Sequence, residues 1–177
     1  MSRIGTVTLQ AAGFSALSTT LAQAITAWQT QDMSFDAYAL LSFMAIAIIM
    51  TPPNYLYQKW LEDSFPTSVP ARDGNDKAVG ERLSKTHTVI KFFMDQTFGA
   101  MANTACFIVL AGLAQGLTLC MLRTKLDREF FTMLTAGWKL WPWCTLANLV
   151  IVPFDYRMMV GNVVGVCWGV YVTLSQM

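Results

Sequence analysis

The residues best placed to do chemistry in this chain are polar groups set inside long apolar segments. Asp95 and Gln96 stand near the start of one such segment, and Asn103 follows Gln96 by seven positions on the same helical face. A carboxylate at bilayer depth costs about 3 kcal/mol near the centre and less toward the interface, so Asp95 must be paired or hydrated. Ser15, Thr19 and Gln23 recur at i, i+4 and i+8 and share a face of the first segment. Asn148, Asp155 and Arg157 interrupt the apolar C-terminal stretch. Such a set can border a wet path that sorts solutes by charge and width, or it can close hydrogen bonds between packed helices. The spacing leaves both readings open.

Other chemistries find less support. Cys106, Cys120, Cys144 and Cys167 never form a C-x-x-C pair and read as small apolar core residues, and His87 is the single histidine. No metal site and no cofactor is expected. Asp95 or Asp155 beside aromatics could serve a membrane-embedded enzyme as an acid, but no paired acids, activated nucleophile or cofactor motif accompanies them, so the expectation is a non-enzyme. A net charge of +1, with no basic patch, argues against nucleic acid as a partner.

The elements that must carry these residues are membrane helices. With 54% hydrophobic and 13% charged residues and a mean hydropathy of +0.43, the chain reads as a single membrane-embedded helical domain over 1–177. The expected fold is an all-α integral membrane protein, a bundle of four transmembrane helices or one with a fifth membrane-embedded helix, plus a short amphipathic surface helix. Segment one runs from about Val7 to Ala27. Segment two must pass through Pro52-Pro53 as a helix kinked there, because Ala37 to Met50 alone is 14 residues, too short for about 30 Å of hydrocarbon. A hydrophilic loop, about 64–90, is expected to be mobile near Asp73 to Gly80 and to precede segment three at about Phe92 to Leu113. Leu126, Phe130, Met133 and Leu134 form the apolar stripe of the surface helix, which is expected to end near Gly137.

Trp138 to Ser175 is too long for one span, since 38 helical residues reach about 57 Å at ~1.5 Å each. The chain must therefore break near Pro153, with Asp155 to Arg157 as a tight turn between two membrane helices or with the first run re-entrant. Gly161, Gly165 and Gly169 form a double G-x-x-x-G row that allows close helix packing, either within the bundle or in a homo-oligomer. The partners expected are the lipid bilayer and small solutes.

Trp138-x-x-Trp141-Pro142, Asn148, Pro153, Arg157, Trp168 and Tyr171 resemble the C-terminal signature of the Mpv-seventeen and peroxisomal twenty-two-kilodalton membrane protein family. Asp95-Gln96 is similar to that family's Asp-Gln pair, and Pro52, Tyr57, Leu61 and Pro66 follow its second-segment spacing. The chain departs from the pattern at Thr145, where Gln is usual, at Leu149 in place of an aromatic, at Met101 in place of Pro, and at Ser18-Thr19 in place of a Gly-Asp pair. It resembles a divergent, fungal-like member. The resemblance implies a four-span protein of the peroxisomal membrane or, alternatively, the mitochondrial inner membrane, acting as a passive channel for small solutes or a modulator of one. The charged insert before segment three is similar to that of fungal members labelled peroxisomal, and this resemblance favours the peroxisomal membrane. A non-conducting scaffold is the second reading, and an ion pair between Asp95 and Arg157 would favour it.

Overall fold

A computed structural model describes residues 2–31, 34–72 and 78–176. Among them are five helices and one two-stranded hairpin: α1 (Arg3–Thr30), α2 (Ala37–Ser64), β1 (Ser68–Arg72), β2 (Ala78–Leu83), α3 (85–114), α4 (Leu119–Ile151) and α5 (Phe154–Gln176). Of the helices, α2 and α3 are long and apolar enough to cross a membrane. Backbone contacts join each helix to its neighbours in sequence and α1 to α5, so the five helices close into a ring.

Local chemistry sets the helix ends. Ser2 caps α1 by accepting from the Gly5 N–H, and Gln31 ends it in a left-handed conformation (φ 57°). Asp36 caps α2 through the Ala39 N–H at 2.9 Å. The Gln23 amide then clamps the Asp36 backbone from both sides, donating to its carbonyl at 2.9 Å and accepting from its N–H at 3.0 Å. As expected, α2 runs unbroken through Pro52 and Pro53. The two rings remove the donors that the Ile48 and Ile49 carbonyls would have used, and the Thr51 hydroxyl reaches back to the Ala47 carbonyl on the preceding turn.

Several expectations are corrected. The stretch 64–90 is not one loop: β1 pairs antiparallel with β2, Ser68 facing Leu83, and α3 begins at Lys85 with Ser84 as its cap. Residues 73–77 of the segment expected to be mobile lie outside the described residues. The amphipathic stripe over 126–134 is not a separate surface helix but the first half of α4, which continues past Gly137 and Pro142 to Ile151. The break comes at Val152-Pro153, where Val152 is extended (φ −97°, ψ 125°) because a residue before proline is disfavoured in the helical region. Asp155 to Arg157 is thus no turn; it opens α5. Three of the four cysteines, expected in the core, are exposed, and Cys144 is half-buried.

The glycine row is used unequally. A Cβ at Gly169 would sit 2.9 Å from the Ser18 Cβ and 2.5 Å from its hydroxyl, so α1 and α5 make their closest approach there. At Gly161 and Gly165 nothing lies within 4 Å. Gly169→Ala should therefore lower stability by about 1–3 kcal/mol in denaturant unfolding in micelles. Ser18→Gly should restore part of that loss, while Gly161→Ala and Gly165→Ala should be neutral or slightly stabilising. Equal losses at all three glycines would contradict this packing.

Candidate functional site

Within the ring lies a partly open cavity of about 420 Å³ bordered by all five helices. From α1 come Ser15, Ser18 and Thr19; from α2, Asn54 and Gln58; from α3, Asp95, Gln96, Asn103 and Thr104. The last two helices add Trp138, Trp141, Thr145 and Asn148, and then Arg157, Gly161, Asn162, Gly165, Trp168 and Gly169. Two of the polar residues expected to line a path lie elsewhere. Gln23 is spent on the α1–α2 connection, and Asp155 is exposed and paired with Arg3.

Asp95 sits where α3 changes its winding. Residues Asp95–Gly99 form a π-turn, which inserts an extra residue into the helix and is frequent at functional positions. Asp95 Oδ1 accepts from Gln58 Nε2 at 2.6 Å, and Oδ2 accepts from Gln96 Nε2 and from the Thr145 hydroxyl, both at 3.1 Å. Thr145 Oγ1 in turn accepts from Gln96 Nε2 at 3.0 Å. Three neutral donors satisfy most of the carboxylate's acceptor capacity, and among the described residues no cation pairs with it. The Trp138 indole donates to the Gln96 carbonyl at 3.1 Å, which ties α4 to the π-turn.

One helical turn from this group, a second cluster crosses the ring. Glu62 Oε2 accepts from Lys91 Nζ and from Arg157 Nη1, each at 2.5 Å, and so links α2, α3 and α5. Thr67 completes the cluster: its N–H donates to Glu62 Oε1 at 2.9 Å, its hydroxyl donates to Oε2 at 3.2 Å, and the same hydroxyl accepts from Lys91 and Arg157. Arg157 also caps the end of α4, its Nε donating to the Asn148 and Val152 carbonyls at 3.2 and 3.0 Å. Asn148 Nδ2 returns a bond to the Arg157 carbonyl at 3.3 Å. The cation that could have neutralised Asp95 is committed to Glu62.

The signature residues surround these two groups. Trp141 and Trp168 meet edge to face at 6.3 Å, and Trp168 lies 5.2 Å from Tyr171. Pro142 falls inside α4, and Pro153 marks the α4–α5 break. The sequence reading missed Gln58, Glu62, Thr67, Lys91 and Thr145. Gln58 with Glu62 and Lys91 with Asp95 share an i, i+4 spacing and align as rungs between antiparallel helices, a match that shows only once the register of α2 and α3 is known.

Residues 112–173 match the Mpv17 / PMP22 family model. Over that region the chain is similar to the Mpv17 / PMP22 family. It is 39% identical over 85 residues to the PXMP2/4 family protein 3 of Dictyostelium discoideum, covering 48% of this chain and 45% of the relative. It is also 32% identical over 90 residues to the mitochondrial inner membrane protein Mpv17 of Mus musculus, 51% of each chain, and 27% identical over 98 residues to the protein SYM1 of Eremothecium gossypii, 54% of each. The match thus spans about half the length of these relatives. No solved structure matches.

Removing Glu62 should be the costliest change in the cluster. Glu62→Leu leaves Lys91, 2% exposed, beside Arg157 with no counter-charge, a loss of about 3–5 kcal/mol. Arg157→Met should cost less, because Lys91 still neutralises Glu62. Unfolding midpoints of the purified variants in micelles would check this order, and the reverse order would contradict it.

Proposed function

We propose that this chain is an organelle-membrane protein that provides or modulates a passive pathway for small solutes, without catalysis. The observation that carries the reading is Asp95, a carboxylate at a cavity bordered by five helices whose one nearby cation is held by Glu62. A pathway that prefers cations needs an acidic group that no protein cation pairs with. On this reading the remaining helices accompany α2 and α3 through the bilayer, and the ring interior is wet.

The relatives' names support the membrane. Several are called mitochondrial inner membrane protein Mpv17, which favours that organelle, with the peroxisomal membrane as the alternative. The scaffold reading would have been favoured by an Asp95–Arg157 pair, and Arg157 reaches Glu62 instead. An assembly of copies would need a face other than the glycine row, because Gly169 lies against Ser18 and the other two glycines border the cavity.

The test is ion permeation through the purified protein in planar bilayers under a salt gradient. Asp95→Asn should lower the cation-to-anion permeability ratio severalfold, while Asp155→Asn should leave it unchanged. An unaltered ratio in folded Asp95→Asn protein, or silence from a folded wild-type sample, would sink the proposal.

A further inference from the structure

We infer that the cavity contains a binding site for a primary ammonium group, with Asp95 as its counter-charge. The inference rests on the solute-pathway reading only for how the ligand enters and leaves. Asp95 is the acid of the cavity lining, and Arg157 is its cation. Arg157 is fixed by Glu62 and by the two carbonyls at the end of α4, so among the described residues Asp95 has no side-chain cation as a partner.

The second observation is Gln96, which is 8% exposed and lines the cavity. Its amide nitrogen is used on Asp95 and Thr145, and its Oε1 is buried without a partner. Turning the amide over would set that oxygen against the Asp95 carboxylate, so the hydrogen-bond pattern fixes its orientation. Asn148 Oδ1 is a further buried acceptor of the lining without a partner. Buried polar groups left unsatisfied are uncommon in folded proteins and point to an occupant that satisfies them.

An ammonium group answers both observations, since it carries three donors, no acceptor and a positive charge. Trp138 stands on the Gln96 carbonyl and Trp141 borders the same space, so aromatic faces are available to a cation. The one buried donor of the lining without a partner, Asn162 Nδ2, suits an oxygen elsewhere on the ligand. A cavity of about 420 Å³ is in the range that encloses a small metabolite. The class that fits is a small primary amine, such as an amino alcohol, rather than an anion or an apolar solute.

The probes are n-butylammonium, the neutral n-butanol and the anion butyrate, titrated against the full chain in nanodiscs. Tryptophan fluorescence and thermal unfolding are the readouts. Butylammonium should give a saturable response that weakens at least tenfold in Asp95→Asn and is unchanged in Asp155→Asn. If Asp95→Asn does not yield folded protein, Gln96→Leu should weaken the response severalfold. An equal response to butanol would reduce the site to an apolar pocket, and a stronger response to butyrate would assign it to Arg157; either overturns the inference. Permeation without saturable butylammonium binding overturns the site and leaves the pathway standing. Binding by a protein that passes no solute upholds the site and removes the pathway.

Discussion

Glu62 accepts from two cations at once, and that bond set holds together helices that the backbone alone does not join. The ring packs each helix against its sequence neighbours, yet α2 and α5 have no extensive backbone contact. Glu62 reaches across to Arg157 while Lys91 approaches from α3, and the Thr67 hydroxyl receives both cations. Two positive charges against one carboxylate would be poorly balanced in a dry interior; the Thr67 hydroxyl oxygen, which accepts from both cations, and the α4 carbonyls around Arg157 make the arrangement tolerable. Because Arg157 is held here, no side-chain cation among the described residues pairs with Asp95.

Much of this was legible in the sequence one residue at a time. Asp95 and Arg157 stood out because charged side chains in apolar runs are expensive, and the break near Pro153 followed from length and the missing backbone donor. The pairing was not legible. It depends on α2 and α3 lying antiparallel in a register that sets Gln58 beside Asp95 and Glu62 beside Lys91, and no local pattern specifies that register. The continuity of α4 was missed for a different reason: Gly137 resembles a helix end, but α4 runs on through it and through Pro142, so surrounding packing outweighs the local cost of both.

The departures from the family pattern gain physical meaning in the same frame. Thr145 stands where the family usually has Gln, yet its hydroxyl still donates to Asp95 and accepts from Gln96, so a shorter side chain keeps the carboxylate in the network. Ser18-Thr19 replaces a pair containing an acid: Ser18 meets Gly169, and Thr19 is almost wholly buried. The acidic character of the cavity lining accordingly rests on Asp95.

The measurement closest to this account is a pair of double-mutant cycles on folding stability, one between Arg157 and Glu62 and one between Arg157 and Asp95, made with neutral isosteres. The account predicts a coupling of more than about 1 kcal/mol for Arg157 with Glu62 and a value near zero for Arg157 with Asp95. A large coupling between Arg157 and Asp95 would mean that the cavity charge is neutralised by the protein itself, and the account would fail at its centre.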